Sequence, residues 1–195
     1  MKRFITAALL AASTFLAASS GQATLITYQG ILSGAAEVPA VVTPGTGSAV
    51  VVYDTVAHTL SISATFSGLI GRTTASHIHC CTTRTFAGNA GIATELPSFV
   101  GFPLSVTSGS YTDIHDLTLA SSYNPAFVTA NGGTLSGAEA ALVAGLANGN
   151  AYLNIHTSFV GSGEIRAVLA PEPASIALMT AGLLGMGAAR TRIRR

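Results

Sequence analysis

The chain has 195 residues, of which 49% are hydrophobic and only 9% are charged, and its formal net charge is +1 at pH 7. The positive charge lies at the two ends, because residues 24–170 contain three arginines, no lysine and seven acidic residues, a net charge of −4. An acidic segment without clustered cations excludes nucleic acid as a partner, since phosphate contacts depend on lysine and arginine.

The first predicted element is a signal peptide over residues 1–23. Two basic residues, Lys2 and Arg3, precede an apolar run from Phe4 to Ala18, and small and polar residues follow up to Ala23. That order is typical of a secretory signal peptide that is cleaved after Ala23. The apolar run is shorter than the ~20 residues that a membrane-spanning helix needs. We therefore expect an exported protein.

Residues 24–170 have the length of one domain and are rich in strand patterns. Polar and apolar residues alternate over 59–66, which predicts a half-buried strand with Leu60, Ile62 and Phe66 towards the core. The valine-rich run 48–53 predicts a strand covered on both faces, in a hairpin with 59–66. Further strands are expected at 25–32, 73–80, 115–120, 151–157 and 164–169. This pattern predicts a mainly β, antiparallel domain of the immunoglobulin-like or β-sandwich type.

The densest side-chain chemistry of the predicted domain is the pair His77 and His79. Side chains of a strand alternate with period 2, so both imidazoles point to one face and Ile78 points to the other. In the late strand 151–157, Tyr152, Asn154 and His156 share a face for the same reason. We expect these two strands to be neighbours, which brings three imidazoles together.

Cys80 and Cys81 follow His79 directly and are the only cysteines of the chain. Three interpretations remain open: a strained and redox-labile disulfide, a pair of soft metal ligands, or small residues at a strand end. Continued alternation sends the two side chains to opposite faces, which argues against both of them binding an ion held by the histidines.

Two segments after the cysteines are expected to lie outside the sheet. Residues 82–109 carry several glycines and two prolines, and they predict a surface excursion that leads away from the histidines. Residues 136–147 predict the one short helix of the domain. Ser136 and Glu139 have the spacing of a capping box at its start.

The last segment, 171–195, is predicted to be a second targeting element. Pro171-Glu172-Pro173 precedes sixteen uncharged residues, and four arginines close the chain: Arg190, Arg192, Arg194 and Arg195. Sixteen residues in a helix extend about 24 Å, slightly less than the ~30 Å hydrocarbon core of a bilayer. The segment predicts a transmembrane helix whose arginine-rich end stays in the cytoplasm.

These three parts, in this order, resemble the PEP-CTERM sorting signal of exported bacterial proteins. The resemblance implies processing by exosortase, a membrane-embedded cysteine protease, and at least transient anchoring in the inner membrane through the C-terminus. It also implies a final location at the cell surface or outside the cell. The partners it implies there are the extracellular polysaccharide or matrix proteins of a biofilm.

The domain itself resembles a CHRD domain, a module named from chordin that also occurs in bacterial secreted proteins. The resemblance covers about residues 28–169 and rests on three groups of residues: Gly34 with Glu37-Val38-Pro39, His77-Ile78-His79, and Tyr152-Leu153-Asn154-Ile155-His156-Thr157 with Gly163-Glu164-Ile165-Arg166. Two departures from the family pattern are Cys80-Cys81 and Ala167. The resemblance implies a β-sandwich-like domain and no established catalytic activity.

Two hypotheses for the histidines remain open. In the first, a Zn²⁺ or Cu²⁺ ion is held by His77, His79 and His156, with a fourth position that is open or filled by Asn154, Glu164 or a cysteine. In the second, the histidines belong to a buried hydrogen-bonded network that holds no ligand and includes Asn154, Glu164 and Arg166. Glu164 and Arg166 are also expected to form an ion pair with each other.

The sequence therefore predicts an exported binding or structural module of the cell surface or extracellular matrix, delivered by its C-terminal signal. The alternative is a copper or zinc protein, or a metalloenzyme, built on the three histidines. Beyond these three histidines, no catalytic arrangement is recognised. The other two histidines, His58 and His115, are expected at turns or strand edges with no role beyond solvation.

Overall fold

The computed structural model describes residues 24–172, so the predicted signal peptide, the predicted transmembrane helix and the terminal arginines lie outside the described residues. Seven strands form within this range: β1 (Leu25–Ser33), β2 (Thr46–Asp54), β3 (Thr59–Ser67), β4 (Thr73–His79), β5 (Gly109–Asp116), β6 (Ala151–Thr157) and β7 (Ile165–Pro171). Two α-helices, α1 (Pro125–Ala130) and α2 (Leu135–Ala147), lie between β5 and β6. Neither helix has the length and apolar character needed to cross a bilayer.

All seven strands belong to one antiparallel sheet with the order β4-β6-β7-β1-β2-β3-β5. The mainly β, antiparallel prediction is confirmed, although the strands form one continuous sheet rather than two separate layers. The last strand, β7, lies in the interior of the sheet between β6 and β1. The sheet therefore joins the beginning of the domain to its end.

Side chains decide which face of each strand is buried. In β3 the apolar residues Leu60, Ile62, Ala64 and Phe66 are buried and the serines and threonines between them are not, as the alternation predicts. The predicted hairpin of β2 with β3 is confirmed. The prediction that β2 is covered on both faces is wrong, because Val51 is fully buried while Val50 and Val52 are partly exposed. The sheet at β2 therefore has one buried face and one solvated face.

The sheet curls, so that its two edge strands approach the same residue. The ring of Phe99 lies 6.5 Å from the ring of His77 on β4 and 5.5 Å from the ring of Tyr111 on β5. Phe99 belongs to the connection between these strands, which also bonds to β4 through Ser105 and Val106. This connection closes the curl over one end of the sheet.

The structure adds a helix to the one that was predicted: α1 has no counterpart in the prediction, and α2 begins at Leu135, one residue before the predicted start. Asn124 caps α1 by accepting a hydrogen bond from the Ala126 N–H, and Pro125 occupies its first position. This pair is a common helix start, because proline lacks only an N–H that would be unpaired there. In α2 the capping residue is Thr134 rather than Ser136, and its hydroxyl accepts from the Gly137 N–H at 3.1 Å.

Replacing Thr134 by alanine should lower the free energy of unfolding by about 1 kcal/mol, because one backbone N–H of α2 loses its partner. Ser136→Ala is the matched control, since this serine caps nothing in the helix, and it should change stability by less than about 0.5 kcal/mol. Urea denaturation followed by circular dichroism measures both. A larger loss for Ser136→Ala than for Thr134→Ala would restore the original capping-box prediction.

Candidate metal centre

Antiparallel pairing of β4 with β6 places the two histidine motifs side by side. Ala75 is paired with His156, His77 with Asn154, and His79 with Tyr152. Because alternate residues share a face, His77 and His79 project from β4 on the same side as Asn154 and His156 from β6. The sheet register thus brings together the three imidazoles that the sequence singled out.

The three imidazoles form a compact cluster. One ring nitrogen of each lies within 4.8 Å of one nitrogen of each of the others. The closest approach joins Nε2 of His79 to Nε2 of His156 at 3.3 Å. His77 packs with its ring centroid 5.2 Å from that of His156 and 5.9 Å from that of His79. All three residues are buried.

Each imidazole donates one N–H to a backbone carbonyl. His77 Nε2 bonds to Pro97 O at 2.7 Å, His79 Nδ1 to Ala90 O at 3.0 Å, and His156 Nδ1 to Gly161 O at 2.9 Å. A carbonyl oxygen only accepts, so these contacts assign the proton to that nitrogen of each ring. The other nitrogens, including His77 Nδ1, which is buried without a partner, carry lone pairs. This is the arrangement that orients metal-binding histidines.

The segment between β4 and β5 covers this cluster instead of leading away from it. The prediction of a surface excursion remote from the histidines is therefore wrong, because Ala90 and Pro97 supply two of the three carbonyl acceptors. Burial lowers the pKa of His77 to about 4 and that of His79 to about 4, and it also lowers the pKa of His156. At neutral pH the three rings are uncharged, the form in which imidazole binds metals.

Among the predicted candidates for a fourth ligand, Asn154 is the one with a free acceptor. Its Nδ2 donates to Ser162 O at 3.3 Å, whereas Oδ1 is buried and has no partner. The side chain is packed against Gly163, where a Cβ would collide with the amide. An unpaired buried carbonyl oxygen costs about 1–3 kcal/mol. Asn154 Oδ1 is thus an acceptor in need of a cation or a donor.

Glu164 has a different task. Its carboxylate is completely buried and accepts four hydrogen bonds, from Thr43 Oγ1, Ile70 N, Gly71 N and Thr157 Oγ1. Burial raises its pKa, but these donors outweigh burial and hold the pKa below its ordinary value. Since its oxygens are occupied, Glu164 joins two loops to β6 and offers no free oxygen to an ion.

Arg166 pairs with Glu37, not with Glu164. Its Nε donates to Glu37 Oε2 at 2.6 Å, and its other nitrogens donate to Gly88 O and Asn89 Oδ1. The expected Glu164–Arg166 ion pair is absent from the described residues, because Glu164 turns towards its four donors. Burial raises the pKa of Glu37, against the opposing effect of the Arg166 guanidinium.

The two cysteines form a disulfide with each other. Their sulfurs lie against α2, where a side chain at Gly145 would collide with both, and Cys81 contacts the carbonyl of Ala141. A metal ligand must be a thiolate, so the disulfide removes both residues from the set of candidate ligands. Of the three interpretations, the structure selects the disulfide.

The remaining histidines are not simply solvated. His115 is buried, donates from Nδ1 to Glu95 Oε2 at 2.9 Å and contacts the Tyr111 hydroxyl through Nε2. His58 is half-exposed and pairs with Glu139 at 2.8 Å. The prediction that both have no role beyond solvation is wrong for His115, which joins β5 to the β4–β5 connection.

Sequence reasoning placed Tyr152 on the face of Asn154 and His156 but did not assign it to the site, and it missed the carbonyl acceptors. The Tyr152 ring is stacked on the His79 ring at 4.9 Å, with 7° between the planes, and carries the Arg166 guanidinium 4.1 Å above its centre. Tyr152 alternates in phase with Asn154 and His156, so the strand pattern contained this signal. The carbonyl acceptors come from loops, and no local pattern marks them.

Comparison with known families gives the last observation. A family model of the CHRD domain matches residues 28–169, which is more than half of the chain. A model of the PEP-CTERM protein-sorting motif matches residues 169–195, and this motif indicates an exported protein that is sorted through the membrane by the exosortase system. No curated protein and no solved structure matched the chain. The chain therefore belongs to the CHRD domain family and ends in a PEP-CTERM protein-sorting motif.

Proposed function

We propose that this protein is a binding module of the cell surface or extracellular matrix, and that its domain binds one Zn²⁺ or Cu²⁺ ion through His77, His79 and His156. The observation that carries the proposal is the 3.3 Å contact of His79 Nε2 with His156 Nε2. Both rings use their one proton on a carbonyl. Two lone pairs therefore face each other, and a cation between them converts this repulsion into attraction.

The distances suit such an ion. Zinc–nitrogen bonds of about 2.0–2.1 Å in a tetrahedral arrangement place two ligand nitrogens about 3.3–3.4 Å apart. Neutral imidazole suits both Zn²⁺ and Cu²⁺. Three protein ligands leave one position open, and Asn154 Oδ1, on the same strand face, is a buried acceptor without a partner. The nearby charges are already used in the Glu37–Arg166 pair and in the Glu164 hydrogen bonds, which favours a binding role over a catalytic one.

A network without a ligand explains the same residues less well. A network requires a proton between His79 and His156, and burial opposes the charge that this proton adds. It also leaves His77 Nδ1 and Asn154 Oδ1 buried without partners. A single bound ion would accept the lone pairs of all three histidines.

Element analysis of the purified protein should find about one equivalent of zinc or copper per chain, because three preorganised neutral imidazoles hold such an ion. Replacement of His77, His79 and His156 together by alanine should abolish it. His58→Ala is the matched control and should retain the metal. A wild-type protein that takes up no metal, with a triple variant that is merely less stable, would favour the ligand-free network.

The sorting part of the proposal has a separate test. Replacing Arg190, Arg192, Arg194 and Arg195 by serine should leave the protein unprocessed in the inner membrane, because the positive end no longer fixes the orientation that the protease requires. Cell fractionation and immunoblotting measure the distribution. Arg84→Ser, at an exposed arginine of the domain, is the control. Normal release of the serine variant would refute the assignment of these arginines to sorting.

A further inference from the structure

A cleft of about 300 Å³ opens beside His79, one of the three histidines. This volume lies at the lower end of the range for small-molecule sites, about 300–1,000 Å³. Its lining includes His79, Tyr152 and Arg166 from the sheet, together with Glu37, Val38 and Ala40 from the chain after β1. The cleft thus reaches one of the proposed metal ligands from the surface.

The wall at the histidines is held rigidly. The Tyr152 ring is packed between the His79 imidazole and the Arg166 guanidinium. Its hydroxyl accepts from the Ala90 N–H at 3.1 Å and lies 3.3 Å from Ala90 O, the same carbonyl that accepts from His79. A ligand that enters the cleft therefore meets a preorganised surface, which reduces the entropy lost on binding.

Glu37 gives the cleft an unused acceptor. The residue is only 5% exposed, and its Oε2 is taken by Arg166, but Oε1 is buried and has no partner among the described residues. Leaving such an acceptor unpaired costs the free energy of its lost hydration, and this cost is larger for a charged group. A hydrogen-bond donor supplied from the cleft would recover that free energy.

We propose that the cleft binds a small neutral polyol, with one hydroxyl donating to Glu37 Oε1 and another at the open position of the metal. The proposal rests on the proposed function, since the second contact needs the ion. A hydroxyl offers both a proton for Glu37 and a lone pair for the metal, whereas a carboxylate lacks the proton and an ammonium lacks the lone pair. Glu37 and Arg166 cancel each other's charge, so the cleft walls favour a neutral ligand.

The test uses the full chain in a zwitterionic detergent that carries no hydroxyl group. Sorbitol is the probe, and gluconate and glucamine are its anionic and cationic relatives of similar size. Saturation-transfer NMR should detect sorbitol on the protein and rank it above both relatives. In the copper-loaded protein its proton signals should broaden, and in the zinc-loaded protein they should not, because only Cu²⁺ is paramagnetic.

Two variants locate the site. Ala40→Trp fills the cleft from its exposed rim and should weaken sorbitol binding at least about tenfold, or about 1.4 kcal/mol, while metal content stays unchanged. Ala35→Trp, an exposed alanine that does not line the cleft, should leave binding unaltered. Val38→Trp, also exposed and on the rim, replaces Ala40→Trp if that variant does not fold.

The outcomes separate the two proposals. Absence of sorbitol binding, equal binding in the Ala40→Trp variant, or tighter binding of gluconate would overturn the polyol site even if the metal is present. Failure to take up metal would overturn the proposed function and the hydroxyl–metal contact. Sorbitol binding that Ala40→Trp abolishes in such a metal-free protein would still support the contact with Glu37.

Discussion

Replacing Arg166 by methionine should lower the free energy of unfolding by about 3–5 kcal/mol. Arg166 and Glu37 are 3% and 5% exposed, and the guanidinium is the partner that compensates the buried carboxylate. Without it, Glu37 remains in the interior as an unpaired charge, and Gly88 O and Asn89 Oδ1 also lose a donor. Urea denaturation followed by circular dichroism measures the loss.

Removal of both charges should cost less than removal of one. The double variant Glu37→Leu with Arg166→Met replaces the ion pair by apolar side chains, an exchange that is often neutral or stabilising. Arg84→Met, at an exposed site, should change stability by less than about 0.5 kcal/mol and serves as the control. Equal losses in Arg166→Met and in the double variant would show that the buried charge is not the cause.

Acid should destabilise the metal-free protein well above the pH at which carboxylates titrate. The pKa of His77 and of His79 is about 4 in the fold against an ordinary value of 6.5. Between these values the unfolded chain binds protons that the folded chain does not, so stability falls as the pH falls. The slope approaches about 1.4 kcal/mol per pH unit for each histidine and levels off below pH 4.

Denaturation in the presence of a chelator at pH 7, 6, 5 and 4 measures this slope. The double variant His77→Gln with His79→Gln should have a much smaller slope above pH 5, because only His156, whose pKa burial also lowers, remains of the three imidazoles. Glu164 contributes only at lower pH, because its lowered pKa makes its stabilisation disappear below the unfolded value of 4.5. An unchanged slope in the double variant would assign the acid sensitivity to other groups.

The cluster of histidines was accessible to sequence reasoning because it depends on two strands. Period-2 alternation fixes the common face of His77 and His79, and pairing of β4 with β6 brings in His156. The acceptors of these rings were not accessible. Pro97 and Ala90 belong to a long connection without periodicity, and only the closure of the curled sheet brings their carbonyls to the site.

The partner of Arg166 was likewise not predictable from local sequence. Glu164 is two residues away and attracted the prediction of an ion pair, whereas Glu37 is 129 residues away and makes the bond. Local spacing says which charges can meet, but it does not count competing donors. Two threonine hydroxyls and two backbone N–H groups occupy Glu164, and sequence alone does not reveal that these four donors converge there.

The strand β7, which completes the sheet by pairing with β1, ends within the sorting motif. Pro171 is paired with Tyr28 of β1, and the Glu172 N–H bonds to Thr27 O, so two residues of the Pro-Glu-Pro sequence are already engaged by the first strand. A chain that emerges from its amino end must keep the edge of β1 open until these last residues arrive. Conversely, an enzyme that binds Pro171 and Glu172 in extended form must first break their backbone hydrogen bonds to β1. The strand pairing of the domain therefore competes with any enzyme for the first two residues of the Pro-Glu-Pro sequence.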